Sequence, residues 1–261
     1  MISNPNAFYD GGLAVETYDL FAAQNGKLAG DVDFYLEMAR SQGGPVLELG
    51  TGTGRVLAPL AEAGFEVTGV DISQAMLDVA GRRLAAAGLR ARLLCTSMQA
   101  FETDARFDLA LIPARAFQHL VDPADQRACL TRVRDHLNPG GVLVLDLFDP
   151  RLETCVGEPD RLPDREVVNP ATGGRYRKVC LGRFADPFAQ VTGERMRIEA
   201  LDGHGGVTAS QETSWALRWS TRQETAYLLE LSGFAIEAQY SDFAKAPPVY
   251  GGEQLWVARR A

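Results

Sequence analysis

In GPVLELGTGTGRVLAPLAEAGFEVTGVDIS, residues 44–73, two carboxylates, Glu48 and Asp71, bracket three alternating glycines at 50, 52 and 54. Such glycines remove side chains where a backbone must turn tightly and approach a ligand closely. The dinucleotide fingerprint GxGxxG is not met: Arg55 stands at its last position counted from Gly50, and Leu57 counted from Gly52. Glu48 would repel a pyrophosphate and welcome a cation. Asp71 stands where a group accepting hydrogen bonds from ribose hydroxyls is expected. The loop therefore suits a nucleoside with a positive, zwitterionic tail and no phosphates.

Further along, His119 in IPARAFQHLVD reads either as a general base or a substrate hydrogen-bond partner, since imidazole titrates near neutrality, or as a helix-start histidine packing on Leu120 and Phe117. Tyr18 in ETYDLF (16–21) is open in the same way: its ring or hydroxyl can face a positive charge, or it can pack with Phe21. His136 and His204 read as structural. The four cysteines, 95, 129, 155 and 180, have no CxxC pair and no histidine-rich neighbours, so no metal is expected and reduced thiols in a cytoplasmic protein are.

The elements that must position these residues follow from periodicity. DVDFYLEMAR (31–40) is helical; VLEL (46–49) is a strand that runs into the glycine loop, and a helix follows it to Gly64. Pro59 predicts a bend in that helix. FEVTGVD (65–71) is a strand, and QAMLDVAGRRLAAAG (74–88) is a helix capped by Ser73. ARLLCTSM (91–98), FDLALIP (107–113) and GVLVLDLF (141–148) are strands, with a helix in DQRACLTRVRDHL (125–137). Alternating strand and helix predicts a doubly wound, mostly parallel sheet. DPRLETCVGEPDRLPDREVVNPATGG (149–174) predicts a long surface excursion. A hairpin follows in 194–219, then a helix capped by Thr221 and Glu224, and two strands in 234–243 and 253–260.

Through VLELGTGTG, GVDIS and NPGGVLVLDLF, residues 44–149 resemble the class I S-adenosylmethionine-dependent methyltransferases. The resemblance implies a seven-stranded Rossmann-like sheet with an antiparallel β insertion after the fifth strand. The corresponding domains are 1–150 with 220–261 for the cofactor, including an N-terminal helical cap in 1–43, and 151–219 as a β lid. It implies that S-adenosyl-L-methionine is held by Tyr18, Glu48, Gly50, Thr51, Gly52, Gly54, Arg55, Asp71, Ile72, Ser97, Met98 and Ala114, with His119 and Tyr18 at the chemistry. Many relatives read Gly-Asp-Met where this chain has Thr96-Ser97-Met98, so adenine binding leans here on backbone groups and Met98. ETYDLF and 151–219 look similar to features of small-molecule N-methyltransferases acting on amino sugars and glycine-like amines, which makes an amine nitrogen the expected acceptor.

A formal charge of −8 and a pI near 5.0 argue against nucleic acid, despite Arg175, Arg177 and Lys178 in GGRYRKV. The chain also reads Ile112-Pro113-Ala114-Arg115 where base-modifying relatives place Asn/Asp-Pro-Pro-Tyr. No run approaches the roughly 18 apolar residues of a membrane span, and no leader pattern opens the chain. Two other function classes stay open on the residues alone: a non-catalytic protein that binds the cofactor, and a nicotinamide-dependent oxidoreductase. The acceptor's identity and the oligomeric state are not written in these motifs.

Overall fold

Eight helices and eleven strands follow one another in a computed structural model that describes residues 9–24, 26–156 and 161–261. Two short helices, α1 (Leu13–Glu16) and α2 (Tyr18–Ala22), precede α3 (Asp31–Gln42). Strands and helices then alternate: β1 (Val46–Leu49), α4 (Leu57–Glu62), β2 (Val67–Asp71), α5 (Gln74–Ala86), β3 (Arg92–Cys95), β4 (Phe107–Ile112), α6 (Pro123–His136) and β5 (Leu137–Phe148). After α7 (Leu152–Cys155) come β6 (Arg165–Val168), β7 (Arg175–Asp186), β8 (Val191–Leu201) and β9 (Val207–Arg218). The chain ends in α8 (Arg222–Leu231), β10 (Phe234–Tyr240) and β11 (Glu253–Arg260).

Two compact units result: Lys27–Pro150 with Trp219–Ala261, and Met1–Gly26 with Arg151–Arg218. At the N-terminal end, the described residues before Lys27, with α1 and α2, group with the β insertion, and α3 belongs to the larger unit. The expected cap's residues 1–8 lie outside the described residues.

The larger unit holds a seven-stranded sheet in the order β10-β11-β5-β4-β1-β2-β3. The five strands from β1 to β5 are parallel, and β11 pairs antiparallel with both β5 and β10. A parallel strand covered on both faces is enclosed on both: β1 is buried throughout, its carboxylate Glu48 included, and β4 is buried except at Asp108. Along β5 the faces alternate residue by residue. Leu143 and Leu145 pack with α6 and α8 residues such as Leu130 and Leu229, whereas Val142 and Val144 pack with Phe34, Leu57 and Leu60 from α3 and α4. The strand order turns at β1, whose neighbours β2 and β4 lead the chain away in opposite directions, and an open sheet binds ligands at the carboxyl ends beside such a point.

Local capping chemistry fixes the helix starts. Ser73 Oγ accepts from the Met76 N–H at 3.1 Å, Asp122 accepts from Ala124 with Pro123 in the first turn, and Thr221 and Glu224 form a reciprocal capping box. The bend expected at Pro59 is not needed: α4 starts only at Leu57, which leaves Pro59 in the first turn, where a missing N–H costs nothing within the helix.

The smaller unit is a four-stranded antiparallel sheet, β6-β7-β8-β9. Met196 and Ile198 are fully buried, and Ile198 and Val167 pack with Ala14 of α1 and Phe21 of α2. The expected surface excursion is corrected in part, because β6 and α7 form within it, and GGRYRKV leads into the twelve-residue β7. The charges that disguised these strands pair across the sheet: Arg177 with Glu199 at 2.6 Å, and Arg175 with Glu166 at 3.2 Å.

Candidate functional site

The glycine loop is built on its neighbour strand. The N–H groups of Gly50 and Thr51 both donate to the Val70 carbonyl of β2, at 2.8 and 3.1 Å, and Thr51 Oγ1 donates to the Glu48 carbonyl. Gly69 makes this seat possible, since a Cβ there would fall 2.6 Å from Thr51 Oγ1. Gly50, Gly52 and Gly54 all adopt positive φ, where a side chain is strained. A Cβ on Gly50 would overlap the Ala116 Cβ, and one on Gly54 would press on Ala80 at 3.1 Å. A Cβ on Gly52, by contrast, would meet, among the described residues beyond its two chain neighbours, only the Gly50 carbonyl at 4.0 Å.

Asp71 ends β2 and closes the loop. One of its oxygens accepts from the Gly52 N–H at 2.7 Å and the other from the Ser73 N–H at 2.8 Å. Burial raises its carboxyl, and the N–H groups of Ser73, Gly52 and Ile72 oppose that. A carboxylate has about four acceptor sites, so Asp71 keeps capacity for hydroxyl donors. Beside it, Ile72 is 55% exposed and offers an apolar surface.

Glu48 is only 1% exposed, and its Oε2 has no hydrogen-bond partner among the described residues. Burial pushes its carboxyl well above the usual carboxylate range; Arg55 pulls it back, and Asp71 and Asp31 add to the push. Arg55, expected at the cofactor, lays its guanidinium fork on the buried Asp31 of α3 at 2.8 and 2.5 Å. Asp31 and Glu48 thus share the Arg55 guanidinium while Asp71 also bears on Glu48, a local surplus of carboxylates that favours a cation.

On the far side of β1 the chain leaves β4 through Pro113 into Ala114 and Arg115, two consecutive left-handed residues with φ of 54° and 63°. A 3-10 turn, Ala116–His119, follows. Gln118, 1% exposed, accepts from the Phe148 N–H at 2.9 Å, which ties the turn to the end of β5 and leaves His119 half-buried at its last position. Met98 lies on a different loop, the one that follows β3, with its Cε 3.8 Å from the Cβ position of Gly50, and Ser97 is half-buried next to it.

The larger unit therefore brings together Glu48, Gly50, Thr51, Gly52, Asp71, Met98 and the turn that carries Ala114. Tyr18 belongs to the smaller unit, where its ring meets Tyr9 edge-on at 6.3 Å. The structure adds residues the motifs did not reveal: Asp31, Gly69, and a network of Tyr35, Asp146, Arg115 and Glu253. Asp146 alone had left a signal, a charge inside the apolar run GVLVLDLF.

These residues fit the expected cofactor. The orphaned Glu48 Oε2 awaits a cationic donor, Asp71 retains acceptor sites, and the Cα face of Gly52 is open where Gly50 and Gly54 are closed.

Known proteins point the same way. A family model described as a methyltransferase domain matches residues 46–141. The chain is 28% identical over 264 residues to the cypemycin N-terminal methyltransferase of a Streptomyces species, with 98% of each chain covered. Among solved structures it is similar to the CcbJ methyltransferase of Streptomyces caelestis (TM-score 0.78, 23% identity, 99% of each chain). It is also similar to the amino pentose methyltransferase CalS10 of Micromonospora echinaspora with S-adenosylmethionine bound (TM-score 0.67, 25% identity, 94% of this chain and 97% of that one). Among the described residues no helix is long and apolar enough to cross a membrane.

Proposed function

We propose that this chain, which is a class I S-adenosylmethionine-dependent methyltransferase, places the methyl group on the amine nitrogen of a small acceptor. The observation that carries the amine is the end-to-end similarity to an N-terminal methyltransferase, over 98% of both chains.

When bound, the cofactor supplies an electrophilic methyl on a sulfonium. The chain's own work is then binding and alignment. In this reading Glu48 takes the cofactor's ammonium on its unpartnered oxygen, Asp71 holds ribose hydroxyls, and Ile72 with Met98 faces the adenine, with Ser97 as a neutral hydrogen-bonding neighbour. Thr51 shapes the loop, Arg55 acts through Asp31 and Glu48, and Ala114 sets the turn opposite. Alignment of two reactants in one site is worth roughly 7–11 kcal/mol, so few dedicated groups are required.

An amine attacks only as the free base. His119, half-buried on a turn anchored to β5, accepts the ammonium proton at its imidazole and leaves the nitrogen lone pair available. Tyr18 is assigned to the same reaction as a group whose hydroxyl or ring favours positive charge. Function in the cytoplasm is consistent with Cys95, an exposed free thiol that a reducing compartment preserves.

The test is methyl transfer from labelled S-adenosylmethionine to matched acceptors: an amino sugar, a short peptide with a free N-terminus, and their hydroxyl or N-acetyl counterparts. Label should appear only with a free amine. Transfer to the hydroxyl compounds alone would overturn the amine reading.

A further inference from the structure

At the end of β5 the buried Asp146 accepts from the Tyr35 hydroxyl of α3 at 2.6 Å on one oxygen and from the Arg115 N–H at 3.2 Å on the other. Arg115 is the second of the two left-handed residues after β4, and its side chain is held as well. The guanidinium forks onto Glu253 of β11 at 2.6 and 3.2 Å and lies over the Phe148 ring at 5.7 Å. Two successive non-glycine residues in the left-handed region are each strained, and such a turn persists only where its surroundings over-determine it. The residue that follows, Ala116, fills the space a Cβ on Gly50 would take. The strained turn therefore forms one wall of the glycine loop.

We propose that Asp146 is a positioning residue for the cofactor: by holding the Arg115 N–H, it keeps the Ala114–Arg115 turn in the conformation that seats Ala116 against Gly50. It touches neither cofactor nor acceptor in this role. The inference rests on the cofactor lying at the GTGTG loop and is independent of the acceptor's chemistry.

The charged and titratable groups around Asp146 are Tyr35 and Asp31 of α3, Arg115 of the turn, and Glu253 of β11, which Lys27 approaches at 3.9 Å. Burial raises the Asp146 carboxyl to about 6; the Tyr35 hydrogen bond and Arg115 lower it, and Glu253 and Asp31 raise it. Ionised, Asp146 accepts both hydrogen bonds at full strength; protonated, it holds the turn less firmly. Cofactor affinity should accordingly weaken as pH falls through about 6. Glu48 and Asp71 also have raised carboxyls, so the diagnostic quantity is the part of this pH dependence that Asp146→Asn abolishes.

Calorimetric titration with S-adenosylhomocysteine from pH 5 to 8, alongside melting temperatures, tests this. Asp146→Asn should weaken binding about tenfold at pH 8, the scale of one hydrogen bond to a charged group, and flatten the acid limb. Adding Ala114→Gly to that variant relieves the strain the lost contact had opposed and should recover part of the affinity. Tyr35→Phe removes a bond that stabilises the ionised form, so it should move the acid limb to higher pH; it also serves if Asp146→Asn fails to fold. Affinity of Asp146→Asn within twofold of wild type, or a Tyr35→Phe limb that does not move, would overturn the inference alone. A wild-type protein that does not bind S-adenosylhomocysteine at pH 8 would overturn the loop's assignment, and this inference with it.

Discussion

Alanine at Gly50 and at Gly52 should have opposite consequences, because the two glycines are open on different sides. At Gly50, φ is 73° and the new Cβ would overlap the Ala116 Cβ. Left-handed strain of about 1–2 kcal/mol and overpacking of about 1–3 kcal/mol add to roughly 2–5 kcal/mol of lost stability. In a chain of this size each kcal/mol moves the melting temperature by about 2–4 °C, so Gly50→Ala should melt roughly 10 °C lower. At Gly52, φ is 55° and the nearest described atom beyond its two chain neighbours is 4.0 Å away, so only the strain applies, about 1–2 kcal/mol. Its Cβ would enter the space assigned to the cofactor, and Gly52→Ala should lose S-adenosylhomocysteine binding out of proportion to its stability. Differential scanning fluorimetry and calorimetry read the two quantities separately. The double variant Gly50→Ala with Ala116→Gly should recover the overpacking share but not the strain. Equal melting temperatures for Gly50→Ala and Gly52→Ala would refute the Ala116 contact, and unchanged affinity in Gly52→Ala would refute the placement of the cofactor.

Glu48 has a folded pKa above its unfolded one, so its contribution to stability is complete below an unfolded carboxyl value of about 4.3 and is lost as pH rises through the raised value. Glu48→Gln should therefore match wild type near pH 4, unfold at an equal or higher temperature at pH 8, and bind S-adenosylhomocysteine more weakly; a lower melting temperature at pH 8 would contradict the sign. Asp31→Ala strands the Arg55 guanidinium beside Glu48, and with Arg55 27% exposed the loss should sit at the low end of the buried-pair range, about 3 kcal/mol, read by urea denaturation. His119→Ala should lower kcat most at the acid end of pH 6–9, where the amine is protonated and needs a base; a pH-independent turnover equal to wild type would leave His119 as packing. Tyr18→Phe should lower kcat while the melting temperature holds, and an unchanged kcat would remove its hydroxyl from the reaction.

Much of this fold is legible because its signals are local. The glycine loop, the Ser73 cap, the Thr221–Glu224 capping box and the alternation along β5 and β8 each occupy a few consecutive residues, and sterics or periodicity reads them directly. Pro59 misled because the loop continues as turns to Val56, so the helix starts later than its apolar period suggests. Strands β6 and β7 were hidden because Arg175 and Arg177 find their carboxylates on neighbouring strands, and a charge satisfied across a sheet looks, in one dimension, like a charge left to solvent.

The site divides along the same line. Gly50, Gly52, Gly54 and Asp71 declare themselves, since backbone clearance and a strand-end carboxylate are properties of one short segment. What holds that segment is not local. Asp31 reaches Arg55 across 24 residues, Tyr35 reaches Asp146 across 111, and Arg115 reaches Glu253 across 138. The chain's own order thus determined the cofactor's class and the sheet that carries it, because spacing and period need no partner. Only the tertiary structure decided that Glu48 keeps an unpaired oxygen, that Arg55 is committed to Asp31, and that Asp146 holds the strained turn against Gly50. Burial and pairing are properties of distant segments brought together, and no local pattern contains them.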